Sequence, residues 1–220
     1  MLVKELLGLK ILNETDAKID YLILPVGGGG LASGVGSVFR HLSPETKIIG
    51  VELTGAPSLT VSLRNNKNTE LENVENFVDG ASVKPMGDGN FEYWKNGLDE
   101  FLTIDEGLIC STIFKIYNEN ALVVEPAGAL SITALELLEE KIKGKNIVCL
   151  VSGGNNDITR MEEIKERALL YEGLKHYFLV KFPQRPGALK EFVVSLLGDT
   201  DDIVRFNIQR KTKNLRLPLW

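Results

Sequence analysis

Histidine and cysteine are nearly missing from this 220-residue chain, which has two of each. Cys110 and Cys149 share no CxxC or Cys/His spacing, which argues against a zinc ribbon or a disulfide framework and for two reduced, structural thiols. His41 and His176 are too few and too isolated for a histidine-based metal site or triad. Charge of one sign is also missing in bulk. The 25 basic and 30 acidic residues leave a net charge of −5 with no long block of either kind, so neither nucleic acid nor an anionic membrane surface is an expected partner. No stretch reaches the roughly 18–20 apolar residues that cross a bilayer. Residues 1–10 are broken by charge and carry no small-residue cleavage site, so they do not read as a signal peptide. A cytoplasmic location is the expectation.

What remains has an ordinary globular composition, 44% hydrophobic and 25% charged, and is long enough for one domain plus a small appendage. Strand and helix signals alternate through most of it, the pattern of an α/β fold with a parallel sheet. Leu2, Leu6, Leu9 and Ile11 suggest an amphipathic helix to about Glu14. Strands are expected at 21–26, 47–52 and 147–151, and helices at 32–42, 56–64, 105–120, 126–142 and 158–172. Asp105 supplies a capping side chain, and Pro126 stands at a first helical turn, where its missing N–H costs nothing. Residues 65–90 read as a long surface connection. Past Gly173 the texture changes to an alternating strand at 176–182, a turn at 183–187, a helix at 188–197 and a strand at 203–209. The expected domains are 1–172 and 173–220.

Two loops carry the chemistry. Gly27, Gly28, Gly29 and Gly30 lie between an expected strand and an expected helix. The first N–H groups of a helix are unpaired and sit at the positive end of its dipole, and glycines let backbone press directly against a phosphate. Four glycines in a row cost about 0.5–1 kcal/mol each relative to alanine in chain entropy, more than a plain turn requires. The spacing Gly27-x-Gly29-x-x-Ala32, with Glu52 ending the next strand, also fits a dinucleotide fingerprint in which the acid binds ribose. That reading leaves the second loop, Ser152-Gly153-Gly154-Asn155, without a task, although it too follows a strand where ligands of open α/β sheets sit.

The segment from Leu24 to Gly34 resembles the phosphate loop of pyridoxal-phosphate enzymes of the tryptophan-synthase-β type (fold type II). Residues 125–130 and 151–155 look like later segments of the same group. Residues 177–189 are similar to the ACT-like (ferredoxin-like, α+β) regulatory domain attached to threonine dehydratases. The resemblance covers nearly all of residues 20–210 and implies an incomplete catalytic domain followed by a partial ACT-like one. By that resemblance the cofactor is pyridoxal 5′-phosphate, with its phosphate held by Gly27 to Gly30 and the Leu31 amide. Ser152 would hydrogen-bond the pyridine nitrogen as a neutral partner, with Glu125 and Asn155 in supporting positions. The implied activity is a lyase reaction of isoleucine biosynthesis, β-elimination of L-threonine (or L-serine), giving 2-oxobutanoate and ammonia from threonine. Isoleucine or valine would be effectors, and the complete enzyme a homo-oligomer. Some relatives hold a cation at the acid after the second strand. Here Glu52 and the Ala56 carbonyl match, but Ser58 replaces the second carboxylate, which argues against a metal.

The family's Schiff-base lysine belongs to a Ser-x-Lys segment well before the phosphate loop. Lys4, Lys10 and Lys18 do not lie in such a context, so no catalytic lysine is assigned, and the isolated chain is expected to be poorly soluble and inactive. Resemblance also fades in residues 1–9 and after about Lys211, which suggests an altered start and an altered end. The competing readings are a nicotinamide or flavin dinucleotide protein and a non-catalytic, amino-acid-binding regulatory fragment.

Overall fold

The computed structural model describes residues 2–75, 77–78, 81–82, 84–183 and 185–207. The chain divides into two units, Met1–His176 and Tyr177–Trp220.

In the first unit, four parallel strands lie in the order β3-β2-β1-β4: β1 (Tyr21–Pro25), β2 (Lys47–Leu53), β3 (Glu100–Ile104) and β4 (Ile147–Cys149). The runs Leu22-Ile-Leu24 and Ile48-Ile49 are apolar without alternation because helices cover both faces of the sheet. Leu22, Leu24 and Ile48 pack with Val35 and Phe39 of α2 (Gly30–Leu42) and with Phe91 and Trp94 of α4 (Asp88–Gly97). Their neighbours Ile23, Ile49 and Val51 point the other way. They join residues of α5 (Glu106–Asn120), α6 (Pro126–Ile142) and α7 (Met161–Tyr171). Parallel pairing demands a crossover between successive strands, which α2 provides from β1 to β2. The path from β2 to β3 runs through α3 (Ser58–Arg64) and α4. The N-terminal α1 (Leu2–Asn13) packs along α2, where Gly8 meets Val38 so closely that a Cβ would lie 2.9 Å from its side chain.

The expected elements of the first unit form with shifted ends. The Asp105 carboxylate caps α5 by accepting from the Gly107 N–H at 2.8 Å, and Pro126 opens α6. The last helix begins as a 3₁₀ turn, Ile158–Arg160. Residues 65–90 are not simply surface. Phe77, Val78, Ala81 and Met86 are buried, and α4 begins at Asp88. Phe77 is covered by the guanidinium groups of Arg160 and Arg167, 5.1 and 4.2 Å from its ring centre. Such anchors are too widely spaced to give a helix or strand period, and α4 and β3 carried too little periodicity to be read.

The second unit departs further from expectation. Among the described residues 177–207, only α8 (Ala188–Leu196) is regular, and the strands expected at 176–182 and 203–209 are not formed; residues 208 and 209 lie outside the described residues. A strand exists through ladder bonds to a neighbour, and alternation alone does not supply one: Phe178 and Leu179 stand 80% and 88% exposed. The unit boundary falls beyond Gly173 because Leu174 and Lys175 return their N–H groups to the Leu169 carbonyl, and Lys175 pairs with Glu166. The first compact unit therefore runs four residues past the boundary at 172/173 expected from the sequence.

Candidate cofactor site at the carboxyl edge of the sheet

The glycine run leaves β1 and enters α2. Gly27 and Gly28 form a bend, Gly29 takes the left-handed conformation with φ of +79° as the N-cap, and Gly30 and Leu31 are the first two helical residues. No side chain caps this end, so the early amides of α2 keep the unpaired donors of a helix start. A Cβ added to Gly28 would meet nothing within 4 Å, so open space lies over this residue. The opposite side of the loop is packed: a Cβ on Gly29 would lie 3.0 Å from Asn90 Cβ and 3.2 Å from the Met86 side chain.

The second loop is brought beside the first by strand order. β4 pairs with β1 in parallel, and the Leu150 N–H extends the ladder to the Ile23 carbonyl at 3.1 Å. Gly27 and Ser152 therefore leave the same edge of two adjacent strands. Among the described residues, the Ser152 hydroxyl makes one long bond, 3.4 Å, to the Ala127 carbonyl at the start of α6. Its capacity to donate and accept is largely uncommitted. The backbone of this loop is clamped to α6: Glu125 N–H bonds to the Gly153 carbonyl at 3.2 Å, and that carbonyl presses on Gly128 where any side chain would collide. The Glu125 carboxylate lies against Gly153 in the same way. Glu125 thus supports the loop that carries Ser152. Asn155 is exposed next to it, and its neighbour Asn156 reaches back to the Val124 carbonyl at 3.5 Å.

Glu52 has a different task from either sequence reading. It is fully buried, and its two oxygens accept from the Leu59 N–H at 2.6 Å, the Thr60 N–H at 2.8 Å, the Thr60 hydroxyl at 2.9 Å and the Ser58 hydroxyl at 3.4 Å. The carboxylate closes the N-terminus of α3, leaving little capacity for a ribose or a cation. Burial drives its pKa above the usual carboxylate range, opposed by those bonds. The Ala56 carbonyl is taken by the Ser58 N–H at 3.0 Å. Among the described residues no group of three or more His, Cys, Asp and Glu is arranged to hold a metal, and no helix is long and apolar enough to cross a membrane.

Two residues at the glycine loop escaped the sequence reading. Asn90 of α4 donates to the Gly28 carbonyl at 2.7 Å across 62 positions of sequence, a separation that no local pattern encodes. Lys4 of α1 stands over the helix start, its Nζ 2.7 Å from where a Cβ on Gly30 would lie. The helical spacing of α1 was the one available signal, and it marked a packing face, not a destination for Lys4.

The pyridoxal-phosphate dependent enzyme family matches residues 2–153, and the C-terminal regulatory domain of threonine dehydratase matches residues 166–214. The first match begins at residue 2, so the segment before Lys10 follows the family pattern, against the expectation that resemblance fades there. A biosynthetic L-threonine dehydratase of Halalkalibacterium halodurans is 50% identical over 212 residues, which are 96% of this chain and 51% of the relative. The corresponding protein of Staphylococcus aureus is 54% identical over 202 residues, 91% of this chain and 48% of the relative. Among solved structures, the processed threonine deaminase isoform 2 of Solanum lycopersicum aligns with a TM-score of 0.71 at 35% identity, covering 75% of this chain and 48% of that one. The chain spans about half the length of the curated relatives it matches. Its parallel sheet, its glycine loop and the first of these matches agree: the chain belongs to the pyridoxal-phosphate dependent enzyme family.

Proposed function

We propose that this chain is the cofactor-phosphate half of a threonine dehydratase, holding pyridoxal 5′-phosphate between the glycine loop and Ser152. The observation that carries the reading is the meeting of these two loops at one edge of β1 and β4. In it, Gly28, Gly29, Gly30 and the Leu31 amide receive the phosphate at the positive end of α2, with Gly27 completing the bend. Lys4 supports an anion here, because an ammonium beside a helix N-terminus is unfavourable until negative charge lies between them. Ser152 offers a neutral hydroxyl to the ring nitrogen, held in place through Glu125 and Gly153, with Asn155 at the rim. The cofactor, when bound, supplies the electron sink for β-elimination. The protein's part is to hold the phosphate and orient the ring. Residues 1–172 form the catalytic portion and 173–220 the regulatory one in this reading. L-threonine or L-serine is the substrate of the whole enzyme, isoleucine or valine the effector, and a homo-oligomer the working form. The commitment of Glu52 to α3 disfavours the dinucleotide alternative, which needs that acid for ribose, and equally disfavours a cation at Glu52 and Ala56.

The test is ligand binding followed by phosphorus NMR. Pyridoxal 5′-phosphate is expected to bind with a shifted phosphorus resonance, and pyridoxal without its phosphate to bind at least about tenfold more weakly. Equal binding of the two would overturn the proposal, and so would preferential binding of NADH.

A further inference from the structure

We infer that Asn90 is a positioning residue of the phosphate cradle, fixing the Gly28–Gly29 peptide so that its N–H is available to an anion; the inference rests on the cofactor reading above. The Asn90 carboxamide donates to the Gly28 carbonyl at 2.7 Å, and the Gly87 N–H points at the same oxygen from 3.4 Å. Carbonyl and following N–H lie on opposite sides of a trans peptide. Holding the Gly28 oxygen toward α4 therefore turns the Gly29 N–H away from α4. A peptide between two glycines has no Cβ to oppose rotation and reaches both signs of φ at little cost. Unheld, it can turn over and present its carbonyl, the wrong end of the dipole, to a phosphate. Asn90 also packs where a Gly29 side chain would stand, 3.0 Å from that position at its Cβ, so one residue supplies both the bond and the steric wall.

Asn90 is itself braced. Asn68 donates to the Met86 carbonyl at 2.8 Å and to the Asp88 carboxylate at 2.6 Å. These two acceptors bracket Gly87, the second donor to Gly28, and fix the start of α4. Two carboxamides thus act in series, from the 65–87 connection to α4 to the glycine loop. This gives Asn68 and Met86 of that connection a function at the site.

The experiment compares the 220-residue chain with Asn90→Ala, Asn90→Asp and Asn68→Ala, using pyridoxal 5′-phosphate as probe. The readouts are its dissociation constant, its bound phosphorus shift and amide hydrogen exchange at residues 28–31. Asn90→Ala is expected to weaken binding about five- to tenfold, the worth of one lost neutral hydrogen bond, and to speed exchange at 28–31 while circular dichroism stays unchanged. Asn90→Asp keeps the shape but loses the donor. Relative to wild type at each pH, it is expected to regain affinity as its carboxyl protonates, which a purely structural lesion would not do. Asn68→Ala is expected to move the same readouts in the same direction by less, and it reports on the clamp if Asn90→Ala does not fold. If wild type fails to bind the probe, the cofactor reading falls and takes this one with it. If wild type binds and Asn90→Ala and Asn68→Ala bind within twofold of it, this inference alone is overturned.

Discussion

Glu52 keeps a buried carboxylate stable by giving both of its oxygens to the first turn of α3. Glu52→Gln would turn an amide NH₂ toward a backbone N–H and leave a buried donor unpaired. A loss of about 1–3 kcal/mol in unfolding free energy is expected from urea titration. The pH dependence follows from the raised carboxyl pKa, caused first by burial. A carboxyl that binds its proton more tightly when folded contributes stability that is fully present below its ordinary value of 4.5 and lost as pH climbs through the raised one. The stability difference between wild type and Glu52→Gln should therefore shrink across that window, and a difference flat with pH would refute the assignment. The cysteines make a simpler case. Burial pushes the Cys110 thiol up to about 12 and the Cys149 thiol to about 11, so both stay protonated at neutral pH and are poor nucleophiles. Native protein should resist iodoacetamide at both positions and alkylate fully in denaturant; rapid native labelling would contradict their burial.

Gly29→Ala would hold a non-glycine residue at φ +79° against Asn90 and Met86. It should cost about 1–2 kcal/mol in stability and weaken phosphate binding together with it. Asp105→Ala removes the bond to the Gly107 N–H and is expected to cost about 1 kcal/mol in thermal or urea unfolding with phosphate binding unchanged. The contrast separates a cap that only builds a helix from a helix start that also holds a ligand. Elements with a local signature were legible: β1 and β2 as apolar runs, α6 with proline at its start, and the glycine bend between β1 and α2. The edge strand β3 and the helix α4 were not. Asp88-Gly-Asn90 weakens helix propensity at the very start of α4, and the burial of Phe91 and Trp94 depends on α2 and the sheet.

At the scale of the molecule, two units follow one another, and the core of the first is closed by α1 to α7 around the sheet. The proposed division of labour predicts that the purified chain does not turn over threonine with added pyridoxal 5′-phosphate. Activity is expected only when the preceding half of a dehydratase is supplied; turnover by the chain alone, measured as 2-oxobutanoate release, would overturn that division. The amino-acid sequence by itself determined the α/β alternation, the position of the glycine loop between β1 and α2, and the change of texture beyond Gly173. Those features are written in neighbouring residues, through hydrophobic period, glycine's freedom and capping chemistry. Only the tertiary structure decided that the Glu52 carboxylate accepts from the first turn of α3, that Lys4 stands at the start of α2 and that Asn90 holds the glycine loop. The first depends on how the chain turns from β2 into α3, and the other two are contacts made by the packing of α1 and α4 against the glycine loop and the start of α2. A single side chain leaves no periodic trace of a partner many positions away.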